Sequence, residues 1–317
     1  MLMHGGPYLL VAGKEGAMMS NQRWWLFVPV AMLLMIVSGA LRAHEQTTPL
    51  AASGAQSGEY LFTGWDGPGL PVFYQLPDRL AADTPVVFVM HGVNRDADRY
   101  RDEWADLARR HAFIAVFPQF GNADFPGSLG YNTGYFTTQD GTPRPRSQWS
   151  FAAIEPLFED LRTRFGTRVG RYSIYGHSAG AQFVHRYVLF MPEARIDRAV
   201  AANAGWYTMP DRTVTFPYGL GSTPVGEAGL SAALGKPLTV LLGTADTDRA
   251  DTDLRKTPEA DTQGPHRYAR GQAFFAQGQR AAESAGVPFG WSLERVPGIG
   301  HSNAGMAEAA AALIAKR

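Results

Sequence analysis

The chain has 317 residues, 29 basic and 29 acidic, and no cysteine. The missing thiol excludes a cysteine nucleophile, a disulfide framework, thiolate metal sites and a lipoprotein anchor. Charge balance without a long basic run gives no sign of nucleic acid as a partner.

At the start, Arg23 precedes the apolar run Trp24 to Val37, followed by Ser38-Gly39-Ala40 and Leu41-Arg42-Ala43. This positive, apolar, small-residue order predicts a secretory signal peptide over residues 1–43, with 1–17 as an upstream extension and a signal-anchor as the alternative. The run falls short of the roughly twenty apolar residues that a comfortable span requires. Cleavage after Ala43 leaves an exported protein with no stable membrane association. Residues 44–57 form a polar leader, and 58–317 form one domain, because neither repeat nor composition break divides them.

Glu59 to Trp65 and Leu70 to Leu76 are two β-prone runs around Asp66-Gly67-Pro68-Gly69, which predicts a hairpin. Pro85 to Met90 is a continuous apolar run, as a strand covered on both faces requires. Tyr100, Trp104 and Leu107 then recur at helical spacing. Ala112 to Phe117, Arg171 to Tyr175, Arg198 to Ala202, Leu238 to Leu242 and Trp291 to Val296 complete the strands. Phe151 to Phe165, Ala179 to Phe190, His266 to Ala285 and Ala304 to Ala315 read as the remaining helices. This alternation predicts an α/β fold with a mostly parallel sheet and helices on both faces. Gly121 to Ser150 and Trp206 to Lys236 lack either pattern over about thirty residues each, a length that is usually functional or disordered; their aromatic residues favour folding over one end of the sheet.

Gly176-His177-Ser178-Ala179-Gly180 sits where a strand must turn into a helix. A hydroxyl needs a base, an orienting carboxylate and oxyanion donors before it can attack. A strand-to-helix elbow exposes the serine oxygen, and glycines two residues to either side let helix and strand approach. In the chain order nucleophile, acid, base, Asp246 follows a buried strand, with Asp248 and Asp251 as alternatives farther along the loop. His301 follows the last strand; the competing reading is a surface histidine at the start of the terminal helix. His177 and His185 flank the serine and read as structural. After the strand that ends at Met90, His91-Gly92 makes a turn. The N–H of Val93 is one candidate oxyanion donor and that of Ala179 the other, while Asn94 is either a side-chain donor or a helix cap.

This constellation resembles the α/β-hydrolase superfamily over nearly the whole mature chain. Through His-Gly-x-Asn and the lack of a large cap, it is most similar to secreted bacterial esterases near the poly(3-hydroxybutyrate) depolymerases and feruloyl esterases. The resemblance implies an eight-stranded sheet, a Ser178–His301–Asp246 triad, no cofactor, and acyl transfer from a small-molecule or oligomeric ester to water. Unlike many extracellular polyester depolymerases, the chain has no disulfides and no appended substrate-binding domain. A serine peptidase or amidase is the nearest rival, and a non-catalytic binding protein on the same fold is a further one. No His-Glu-x-x-His or similar spacing suggests a metal; Asp246, Asp248 and Asp251 read as solvated rather than as calcium ligands. Trp206 and Tyr207 are candidate substrate-contacting residues, with Phe216 and Tyr218 beside them and Tyr131, Tyr135 and Trp149 of equal standing in the other long stretch.

Overall fold

The computed structural model describes residues 55–316. The signal segment 1–43 and the leader up to residue 54 lie outside the described residues. Eight strands form one sheet: β1 (Ser57–Phe62), β2 (Leu70–Gln75), β3 (Val86–Met90), β4 (Ile114–Pro118), β5 (Tyr172–His177), β6 (Ile196–Ala202), β7 (Leu238–Gly243) and β8 (Ser292–Val296). Their order is β1-β2-β4-β3-β5-β6-β7-β8. The opening hairpin pairs antiparallel and joins β4 antiparallel, and every later pairing is parallel.

Alternation along the central strands supplies both cores, since successive side chains point to opposite faces. Val86, Phe88 and Met90 of β3 face α3 (Ile154–Phe165) and α4 (Ala179–Phe190). Val87 and Val89 face α1 (Ala97–Arg110) and α8 (Asn303–Ala315). The predicted stripe Tyr100, Trp104 and Leu107 is the buried side of α1. Helix α7 (Arg267–Ala285) starts at His266, whose ring Nδ1 accepts the Ala269 N–H and caps it.

Several elements differ from the sequence expectation. The run from Phe151 opens as a 3₁₀ turn, Ser150–Ala153, before α3 begins. The first long stretch holds the single-turn α2 (Gly127–Gly130), and the second holds α5 (Glu227–Leu234). Helix α5 carries Gly229 and only a weak apolar stripe, and it is held by Ala233 and Leu234 in the core. Helix α6 (Pro258–Gln263) was also not anticipated; Thr257 caps it, with proline at the first turn. Asn94 does not cap α1, whose N-cap is Asp96. Among the described residues no helix is long and apolar enough to cross a membrane.

Candidate active site

Ser178 stands between β5 and α4 with φ 58° and ψ −115°. That backbone is held from both sides: its N–H donates to the Ala202 carbonyl at 3.0 Å, and its own carbonyl accepts the Gln182 N–H at 3.1 Å. The flanking glycines are dictated by contact. A Cβ on Gly176 would lie 2.2 Å from the Gly180 backbone, and one on Gly180 would lie 2.0 Å from the Met90 carbonyl oxygen. Helix α4 therefore leaves the sheet at closer range than any side chain permits.

His301 and Asp246 come from loops that are joined before their side chains meet. Thr244 N–H donates to the Val296 carbonyl at 3.0 Å, Ala245 N–H to the Ile299 carbonyl at 2.9 Å, and Gly298 N–H to the Thr244 hydroxyl at 2.9 Å. Asn203, buried at the end of β6, clamps both: its amide donates to the Gly300 carbonyl at 3.1 Å and accepts the Gly243 N–H at 2.8 Å. The result is a continuous line. His301 Nε2 lies 3.0 Å from Ser178 Oγ, and His301 Nδ1 lies 2.8 Å from Asp246 Oδ2. Asp246 is buried, with Arg267 Nη1 3.5 Å from its other oxygen. Of the alternatives, Asp248 turns back to accept the Ala250 N–H, and Asp251 pairs with Arg267 at 2.6 Å.

Val93 and Ala179 flank Ser178 in one cleft, and neither N–H meets an acceptor among the described residues. His177 is buried with its ring centroid 4.6 Å from that of His301. Burial, followed by the charge His301 would carry, holds its pKa well below the ordinary histidine range. His185 is likewise buried, within α4.

Two arms of the cleft meet at Ser178. One is bordered by His301, Asn94, Arg99, Glu103 and Asn303. The other, about 260 Å³, is bordered by Trp206, Arg255, Gln182, Asn132, Tyr131 and Arg95. Adjacent candidates thus part company: Trp206 reaches the cleft, whereas Tyr207 is a correction. Its ring is fully buried, stacked on Phe274 at 4.6 Å, because the backbone there is pinned by Gln263, which accepts its N–H and donates to its carbonyl. Phe216 packs on Phe136 and Phe190, and the Tyr218 hydroxyl accepts from Arg255 Nε at 2.6 Å. Tyr131 lines the cleft, while Tyr135 lies under Arg144 and Trp149 packs on Phe136.

Sequence reasoning missed Asn203 and the arginines of the second arm. An asparagine directly after a buried strand was the available signal for the first, since that residue type tolerates the positive φ (52°) found there. Nothing distinguishes a buried arginine from a surface one by spacing alone.

No family model matches the chain. Among solved structures, poly(aspartic acid) hydrolase-1 from Sphingomonas sp. KT-1 is 52% identical, with a TM-score of 0.81 over 82% of this chain and 98% of that one. LpqC, a poly(3-hydroxybutyrate) depolymerase from Bordetella parapertussis, is 36% identical, with a TM-score of 0.79 over 84% of this chain and 92% of that one. Poly(3-hydroxyalkanoate) depolymerase C of Paucimonas lemoignei is 24% identical over 230 residues, covering 68% of this chain and 54% of that protein. The chain spans about half the length of the curated relatives it matches.

Proposed function

The chain belongs to the α/β-hydrolase family, and from that premise we propose that it is an exported serine hydrolase that cleaves carboxylic esters through an acyl-enzyme. The observation that carries the reading is the unbroken Ser178–His301–Asp246 line at 3.0 and 2.8 Å. Ser178 Oγ attacks the carbonyl carbon as His301 Nε2 takes its proton. Asp246 accepts the Nδ1–H, fixing the tautomer and stabilising the imidazolium, and the N–H groups of Val93 and Ala179 receive the oxyanion. His301 returns the proton to the departing alkoxide, and a water molecule, deprotonated by the same ring, releases the acid.

The export element rests on residues 1–43 and implies a mature chain beginning near His44. A second reading, amide hydrolysis by the same groups, is favoured by one observation: the 52% identical relative is named for a polymer joined through amide bonds. The substrates named for the relatives, poly(aspartic acid) and poly(3-hydroxybutyrate), define the two polymer classes to try.

One preparation tests these points. Mature protein recovered from the exported fraction, its N-terminus read by mass spectrometry, is offered a fluorophosphonate, a p-nitrophenyl ester and the matching p-nitroanilide. Labelling at Ser178 is expected, and Ser178→Ala should lower ester turnover by on the order of 10⁴- to 10⁶-fold. A Ser178→Ala protein that turns over the ester as fast as wild type would sink the assignment. Faster anilide than ester cleavage would favour the second reading.

A further inference from the structure

Resting on the serine-hydrolase reading, we propose that the cleft arm facing away from His301 is a carboxylate-binding subsite. Arg255 is its direct ligand and Arg186, beneath Trp206, reinforces its field, so that the enzyme favours acyl groups bearing an anionic side or end group.

Position comes first. The leaving group must be protonated by His301, so it departs along the arm that His301 borders. The acyl part then occupies the other arm, against Trp206 and Arg255.

Charge comes second. Four arginines are buried among the described residues: Arg95, Arg186, Arg267 and Arg270. Arg267 faces Asp246 and Asp251, and Arg270 faces Asp261. Arg95 and Arg186 face no carboxylate. Arg186 donates only to Thr208, Asn132 and Gln182, and its Nη2 has no partner among the described residues. Arg255, which borders the cleft, donates through Nε to Tyr218 alone; its two terminal nitrogens meet no acceptor among the described residues. Asp253 borders the arm but makes no ion pair with Arg255. In a chain of zero net charge, this positive excess is local.

Orientation comes third. The guanidinium carbons of Arg186 and Arg255 lie 4.1 and 4.6 Å from the Trp206 ring centroid. Stacking on the indole and the bond to Tyr218 hold the plane of Arg255, a residue that lines the cleft and whose terminal nitrogens no protein acceptor among the described residues occupies. A planar, preset fork is the geometry that recognises a carboxylate with two parallel hydrogen bonds.

The test compares two p-nitrophenyl esters of equal acyl chain length, hexanoate and the adipate half-ester, on the mature enzyme at neutral pH. The adipate half-ester is expected to show a kcat/KM about 10- to 100-fold higher. Arg255→Gln should lower that ratio about tenfold, Arg255→Lys should keep part of it, and Arg255→Glu should reverse the preference. Should Arg255→Gln not fold, salt supplies a second measurement on the wild type: about 1 M NaCl should pull the ratio toward one. Equal rates on the two esters, a ratio unmoved by Arg255→Gln, or a ratio indifferent to salt would overturn the subsite. If neither ester is hydrolysed and Ser178 takes no fluorophosphonate, the parent reading falls and the subsite with it.

Discussion

At the root of the first long stretch, the buried ring of His91 accepts the Phe120 N–H at 3.1 Å and donates to the Gly92 carbonyl at 2.9 Å. At the root of the second, the buried ring of His185 accepts the Thr208 N–H at 3.1 Å and donates to the Ala181 carbonyl at 3.0 Å. Each histidine works beside an arginine. Arg95 donates to the carbonyls of Phe120 and Gly127 at 2.6 and 2.7 Å, with a longer bond to Phe125. Arg186 reaches the second stretch through the Thr208 hydroxyl at 2.7 Å and lies against Trp206. The same two residue types anchor both walls of the cleft, and each guanidinium keeps one nitrogen unpaired among the described residues, Nε in Arg95 and Nη2 in Arg186. The difference is that Arg95 bonds only carbonyls of its own wall, whereas Arg186 divides its bonds among Thr208, Gln182 and, across the cleft, Asn132. One wall is thereby held by a guanidinium bonded wholly within it; the other shares its guanidinium with α4 and the facing wall.

That contrast is open to attack at three strengths. The largest effect is expected from paired substitutions. Arg95→Gln should cost about 3 kcal/mol in urea unfolding, because charge-assisted bonds to buried carbonyls are lost. Arg186→Gln should cost less, about 1 kcal/mol, because two of its four bonds run to Gln182 on its own helix and its removal returns the desolvation penalty of a fully buried charge. Equal losses would erase the distinction between the walls.

Acid should loosen both walls alike. Burial pushes the His91 pKa down to about 4, and burial, then the Arg186 charge, holds His185 well below its ordinary range. Both rings stay neutral in the native state, while the unfolded chain takes up protons as pH falls through about 6.5. Stability should therefore drop as pH falls below that value, by up to about 1.4 kcal/mol per unit for each histidine, and for His91 until about pH 4. Urea midpoints between pH 7 and pH 5 check this, and His185→Gln should flatten its share of the slope. The smallest effect belongs to Thr208→Val, which removes the acceptor for Arg186 and the donor to the Pro217 carbonyl. About 1 kcal/mol is expected, with the first wall untouched.

The strands and the elbow were legible because their signals are local. β5 turns from alternating bulky residues to small ones within a few positions, and the helix after it runs from Ala179 to Phe190, as the residue pattern indicated. Helices α5 and α6 were not legible, because what holds them is burial of Ala233, Leu234 and Ala260 against distant elements rather than their own periodicity. Trp206 and Tyr207 show where local reading ends. Two neighbouring aromatics point to opposite fates, and the choice is made by Gln263, 56 residues away. Asp246 could be ranked above Asp248 and Asp251 by nearness to a strand end, yet Arg267, which occupies Asp251, leaves no trace in the spacing.

The elbow geometry has a consequence for anyone reshaping this enzyme. A serine at φ 58° and ψ −115° sits where only glycine rests easily, at a standing cost of about 1–3 kcal/mol. Replacing the whole side chain by hydrogen, as in Ser178→Gly, would relax the backbone, so the hardiest version of this protein is an inert one. Campaigns that reward heat tolerance alone will drift toward it unless turnover is scored in the same round.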